Sequence, residues 1–290
     1  MLKQPPNLHV SQNSHIVISV PYQSSFAPAF LLLDREQRRA LSAYYGFARA
    51  ADDIADDPAA PAEEKRARLA AWRDGVEGLF SGEVPDTPLA RDLARAIAAF
   101  PLKKEHFLLV LEGVEMDLEP GGFGTLGDLE AYMHRVASAV GLACLAVFRY
   151  EDKSGPQLAG RLGCAVQLTN IIRDAAEDYA AGRVYLPRED LERFGCRPED
   201  LGGSNYPPNF IELMQFEAER ARGFYAGALA LAAGEQKRRL APALVMGALY
   251  RELLEKMARG GFRIKEGRTR LSGAEKLRAL YRAWADYRRI

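Results

Sequence analysis

From Asp34 onward the chain repeats apolar residues three and four positions apart through long stretches rich in Ala, Leu, Arg and Glu. Short breaks such as SGEVPDTP, EPGGFG, YEDKSGP and GGSNYPPN separate these stretches. That spacing predicts amphipathic helices, and convincing period-two strand patterns are scarce. The first strong helix is predicted to start at Asp34, whose side chain can cap it while Gln37 takes the third helical position, and to run through LSAYYGFARAADDIADD to Pro58. Further helices are predicted at about 63–80, 88–99, 103–117, 126–149, 155–181, 208–233 and 236–259. No break is long and polar enough for an interdomain linker, so the pattern predicts an all-α fold with one domain over residues 21–290. Residues 1–20 read as a flexible, loosely attached segment.

Composition narrows the function classes. The 290 residues are 48% hydrophobic and 27% charged, ordinary for a folded protein and ample for a core that encloses a ligand-sized cavity. Lys and Arg total 39 and Asp and Glu total 39, so no global field draws the chain to nucleic acid, and any charge-based function is local. Cys144, Cys164 and Cys196 form an odd set without CxxC spacing, which suggests a reducing cytoplasm rather than a disulfide framework. The N-terminal MLKQPPNLHVSQNSH lacks a secretory pattern, and the longest apolar run, 139–148, is too short to span a bilayer. A cytoplasmic location is expected, with peripheral membrane contact left open because it needs only an exposed apolar patch or an amphipathic helix.

The candidate chemistry lies in two acidic stretches. Residues 49–57 read RAADDIADD, and on a helix Asp52 and Asp56 share one face while Asp53 and Asp57 form an adjacent stripe. Like charges at this spacing oppose helix formation by about a few tenths of a kcal/mol per pair. A solvated acidic end would explain one such motif, but the preceding YYGFARAA is not a solvent-facing composition. Residues 167–178, QLTNIIRDAAED, repeat the arrangement: Asp174 and Asp178 are four apart, Arg173 stands beside the first acid, and Gln167 and Asn170 precede them. Two facing acidic stripes can share hard divalent cations, and an oxygen-only ligand set suits Mg²⁺ completed by water and substrate phosphates. His9, His15, His106 and His134 show no zinc-binding spacing. Arg49, Arg173 and Arg183 can clamp a diphosphate bidentately or simply pair with neighbouring acids, and the sequence leaves both open.

YYGFARAADDIADD, YMHRVASAVG at 132–141 and QLTNIIRDAAEDYAAGRVYLP at 167–187 together resemble the squalene/phytoene synthases, which join two prenyl diphosphates head to head. The resemblance covers roughly residues 22–275. SSFAPAFLLLDREQRRALSAYYGFAR, VEMDLEPGGF and YRELLEKMARGGFRIKEGRTRLSGAEKL look most like the hopanoid-type presqualene diphosphate synthases, although FARAADDIADD also resembles the companion hydroxysqualene synthase. The resemblance implies a class I isoprenoid synthase helical bundle around a central apolar cavity. Asp52, Asp53, Asp56, Asn170, Asp174 and Asp178 would hold Mg²⁺, and Arg49, Gln167 and Arg173 would seat the diphosphate. Tyr45, Tyr132 and Tyr185 match tyrosines at the family's reaction centre, and Phe26, Ala137, Val140 and Gly141 are expected around the prenyl tail. The run of small residues at 137–143 suits a tail passage or close helix packing equally well.

The implied reaction is Mg²⁺-dependent condensation of two farnesyl diphosphates to presqualene diphosphate. Completion to squalene would need NADPH, and no strand-turn-helix GxGxxG is present; GGFG at 121–124 follows an acidic helix. Phytoene, dehydrosqualene, hydroxysqualene and complete squalene synthases are the near alternatives, followed by a class I terpene cyclase. A noncatalytic helical scaffold is the alternative from another class. Expected partners are farnesyl diphosphate and, beyond it, downstream isoprenoid enzymes, with no nucleic acid.

Overall fold

The computed structural model describes residues 27–119, 121–232, 234 and 236–289, among which there is no β-strand. The segment 1–20 and Phe26 lie outside the described residues. A short α1 (Ala27–Phe30) leads into α2 (Arg35–Ala55), α3 (Ala62–Ser81), α4 (Pro88–Ala99) and α5 (Lys104–Met116). Next come α6 (Leu126–Met133), a π-helical segment (His134–Ser138) and α7 (Ala139–Val147), which form one continuous but locally widened helix. The chain continues through α8 (Gly155–Ala180), α9 (Arg188–Arg193), α10 (Pro208–Leu231), α11 (Ala241–Arg259) and α12 (Gly273–Arg289).

Local signals explain most boundaries. Asp34 and Gln37 form the expected reciprocal cap, with Gln37 N donating to Asp34 Oδ1 at 2.8 Å and Asp34 N to Gln37 Oε1 at 3.1 Å. Thr87 caps α4, and Gly82 ends α3 in the left-handed conformation that glycine adopts without steric cost. Besides the single turn α1, two helices were not predicted from the pattern. The six-residue α9 is too short to show a period, whereas α12 carries a start signal in Ser272 and Glu275: Ser272 N donates to Glu275 Oε2 at 2.7 Å. Residues 237–240 form a 3₁₀ turn, so α11 begins at Ala241 rather than near 236, with Pro242 in its first turn.

Two apolar cores form. One joins α2 to α5 and α7 around Phe47, Leu69, Leu93, Phe107 and Leu111, all fully buried. Phe47 is its hub, with ring centroids 5.1 Å from Phe107, 5.4 Å from Trp72 and 6.0 Å from Tyr44. The other joins α6, α8, α10 and α11 around Met133, Leu168, Ile172 and Phe210. The π segment sits where they meet. A Cβ on Gly163 of α8 would stand 2.7 Å from Ser138 N, and one on Gly113 of α5 would collide with Val136. These two glycines therefore let α5 and α8 close directly on the widened turn, a feature that recurs at functional sites.

Candidate active site

A cavity of about 220 Å³ opens between the two cores. Its acidic wall consists of Asp52 and Asp56 from α2 and Asp117, which caps the C-terminus of α5. The lining continues with Tyr132 of α6, Gln167 of α8, and Arg183 and Tyr185 from the segment after α8, while Val110, Val114 and Val136 add an apolar surface. Arg183 links the two sequence motifs, its Nη1 donating to Asp56 Oδ1 at 2.7 Å across 127 residues of chain. Tyr185 Oη donates to Asp117 Oδ1 at 2.7 Å and Tyr132 Oη to Oδ2 at 3.2 Å. The Tyr132 and Tyr185 rings lie 5.4 Å apart, with Phe123 5.1 Å from Tyr132.

Asp174 is held by both Arg173, whose Nε lies 2.7 Å from Oδ1, and Arg268, whose Nη2 lies 2.9 Å from Oδ2. Arg173 is itself buried and is hydrogen-bonded to Tyr250. Asn170 Oδ1 is buried without a hydrogen-bond partner among the described residues, an acceptor that a cation or donor would satisfy. Arg49 and Asp53 form an exposed i,i+4 pair at 2.9 Å and do not line the cavity. Tyr45 is 42% exposed and is likewise absent from the lining. Ala137, Val140 and Gly141 do not border this cavity. Gly141 packs on α8, where its Cβ position is 3.2 Å from Ala159 Cβ, and it is Val136 that enters the lining.

Three residues escaped the sequence reading as site members. Asp117 stands alone in VEMDLEPGG, without a second acid at helical spacing. Tyr250 reads as an ordinary aromatic of α11, and Arg268 lies in an irregular segment 94 residues from the acid it pairs with. Only packing reveals them.

Electrostatics set what the cavity can accept. Asp52 falls in the last turn of α2 and Asp178 in the last turn of α8, where exposed carbonyls already carry about half a negative charge. Asp52 is pushed up to about 7, first by withdrawal from bulk water and then by the charges of Asp117, Asp56 and Asp53 against the pull of Arg49. By surface area Asp52 is exposed, so its desolvation reflects the concave wall around the carboxylate rather than full burial. Asp178 is pushed up to about 7 by burial, then by Asp174, Asp117 and Glu177, with Arg183 opposing. Asp117 is pushed up to about 6 by burial, against the hydrogen bonds and charge of Tyr185, Arg183 and Tyr132. This excess of constrained negative charge calls for a cation. Among the described residues, however, no group of three or more His, Cys, Asp or Glu side chains is close enough to hold one unaided.

Each raised carboxyl binds its proton more tightly in the folded than in the unfolded chain. Its contribution to stability is complete below its ordinary value of 3.8 and is lost as pH rises through about 7. Without divalent cations the melting temperature is therefore expected to fall between about pH 4 and 7 and to level off above that, and Asp52→Asn to flatten the fall. The kcat/KM of the free enzyme should show the opposite trend, dropping below about pH 7 by about tenfold per unit if one of Asp52 and Asp178 must be ionised and approaching about a hundredfold per unit if both must be. A kcat/KM that stays level across this window would remove the carboxylates from the rate-determining ionisations.

The model of the squalene/phytoene synthase family matches residues 20–275, which include every residue of this cavity. The chain belongs to the squalene/phytoene synthase family. A presqualene diphosphate synthase of Zymomonas mobilis is 38% identical over 254 residues, covering 87% of this chain and 86% of that protein. A phytoene synthase of Mycobacterium tuberculosis is 34% identical over 258 residues, covering 88% and 84%. Among solved structures, a dehydrosqualene synthase bound to a ligand superposes with a TM-score of 0.83 at 27% identity over 93% of both chains. A squalene synthase from Alicyclobacillus acidocaldarius gives 0.73 at 27% identity, over 82% of this chain and 89% of that one. The fold is thus the all-α isoprenoid synthase fold, and this squalene/phytoene synthase family member is a prenyltransferase acting on prenyl diphosphates. No helix among the described residues is long and apolar enough to cross a membrane.

Proposed function

We propose that residues 21–290 act as one domain that condenses two farnesyl diphosphates head to head into presqualene diphosphate with Mg²⁺. The observation that carries this reading is a single cavity, with tyrosine and valine walls, at which Asp52 and Asp56 of α2 meet Gln167 of α8 and Arg183, whose charge also acts on Asp178 at the end of α8. Three relatives at 34–38% identity named presqualene diphosphate synthase support it, while relatives at 34–36% named phytoene synthase support the longer-chain alternative.

Asp52 and Asp56 in the cavity wall suit Mg²⁺, and Asp174, Asp178 and the unpartnered Asn170 oxygen on α8, which stand outside the lining, would complete the set as oxygen donors. Because no three of the described acidic, histidine or cysteine side chains come together to hold a metal, a cation here would need substrate phosphate oxygens to complete its ligands. Magnesium held there supplies neutralisation of the negative charge that grows on the departing diphosphate. Arg183 presents a fixed guanidinium at the same mouth, and Arg173 and Arg268 hold Asp174 in place from behind. Val110, Val114 and Val136 shield the allylic cation from water, and the Phe123, Tyr132 and Tyr185 rings offer it electron-rich faces. Burial raises both tyrosine hydroxyls well above their ordinary value, and both already donate to Asp117. They are therefore neutral positioning groups and weak bases, which favours the released diphosphate as acceptor of the proton lost on cyclopropane closure.

The test is incubation of the purified protein with farnesyl diphosphate and Mg²⁺, with and without NADPH, followed by diphosphate release and mass spectrometry of the lipids. Presqualene diphosphate in both reactions is expected. Squalene formed only with NADPH would make the chain a complete squalene synthase. Turnover of geranylgeranyl diphosphate alone would place it with the phytoene synthases.

A further inference from the structure

Helix α12 turns an unusual face to water. Leu277, Tyr281 and Trp284 are 68%, 68% and 51% exposed. At about 100° per residue they fall, with Arg278 and Arg288, within one arc about 120° wide. The opposite side is firmly seated, since Ala279 and Ala283 are buried and α12 packs along α11. The fully buried Glu252 of α11 accepts from Arg278 at 3.2 Å and Arg282 at 3.1 Å, while Lys256 reaches Glu275 at 2.9 Å. The apolar residues are thus held outward by a fixed helix. The Tyr281 and Trp284 rings lie 5.7 Å apart, and the Arg288 guanidinium stands over Trp284 at 5.1 Å.

We propose that this face of α12 docks the protein on the interfacial layer of an anionic lipid surface. Tryptophan and tyrosine favour the boundary between headgroups and acyl chains, where an apolar ring and a polar edge are both accommodated. Leu277 adds apolar area beside them, while Arg288, and the outer edge of Arg278, 57% exposed although its Nη1 is bonded to Glu252, meet lipid phosphates without any acid in the arc to repel them. Charge separates this occupant from a second copy of the chain. A two-fold pairing of this face would bring like arginines together across the axis, whereas an anionic surface supplies the complementary sign. The proposal stands apart from the reaction, because none of these side chains lines the catalytic cavity.

The chain has two tryptophans, and Trp72 is packed against the core at Phe47, so Trp72→Phe leaves Trp284 as the sole reporter. This full-length variant would be mixed with vesicles of phosphatidylcholine alone or with added phosphatidylglycerol. A blue shift of Trp284 emission and co-sedimentation with the anionic vesicles are expected, both weakening as salt is raised. Combined Leu277→Ser, Tyr281→Ser and Trp284→Ser, in the wild-type background, should reduce co-sedimentation at least about tenfold with an unchanged circular dichroism spectrum. Arg288→Glu alone should weaken anionic binding while leaving the seated side of the helix intact. Absence of vesicle binding by the unaltered protein would overturn the proposal, as would undiminished binding by both variants. So would a concentration-dependent dimer, lost in the triple variant and unaccompanied by vesicle binding, since it would assign the face to a second copy.

Discussion

Replacing Asp52 by alanine is expected to lower turnover by about a thousandfold or more, roughly 4 kcal/mol of transition-state stabilisation, while leaving the helical fold intact. The residue lines the cavity at the negative end of α2, and its carboxyl is raised by the surrounding protein and by Asp117, Asp56 and Asp53. Such an arrangement opposes its own ionisation and gains from it only when positive charge arrives with substrate. The two readouts should therefore separate, with diphosphate release collapsing and the cation-free melting temperature at about pH 8 unchanged or higher. Asp174→Ala is a less clean probe, because it removes the partner of the buried Arg173 and would cost stability as well as rate. If Asp52→Ala kept turnover within about tenfold of the parent, the acidic motif would be a surface feature and the scaffold alternative would regain weight.

The second large effect concerns the support behind that wall. Phe47→Ala should destabilise the protein by about 3–5 kcal/mol, the range for deleting a buried aromatic side chain. Phe47 is completely buried, and Tyr44, Trp72 and Phe107 surround its ring, so the neighbours that would have to collapse into the space are themselves large and interlocked. It also lies on α2, the helix that carries Asp52 and Asp56, so a repacked core would shift the acidic wall. Urea and thermal unfolding measure the loss directly. A change below about 1 kcal/mol would show that α2 is positioned by something other than this aromatic cluster.

Much of this protein was legible in the chain itself. The three-and-four spacing of apolar residues, the Asp34–Gln37 cap and the Gly/Pro breaks located eight of the helices, because these are local devices whose partners lie within a few residues. The two acidic motifs were visible for the same reason, since carboxylates four apart need only a helix to align them. The tertiary structure decided which of the flagged groups share a cavity. It brought Arg183 onto Asp56 and placed Tyr132 and Tyr185 on Asp117, while leaving Tyr45, the Arg49–Asp53 pair and the α8 residues Asn170, Arg173, Asp174 and Asp178 outside the lining. It also distinguished the small residues: Gly141 lies in a helix contact, and a π turn carries Val136 to the cavity between Gly113 and Gly163. A repeating pattern records which face of a helix is buried, but not what another helix presents to it. Asp117, Tyr250 and Arg268 acquire their partners only when segments far apart in sequence pack together, and the charge environment of the site is set by that packing.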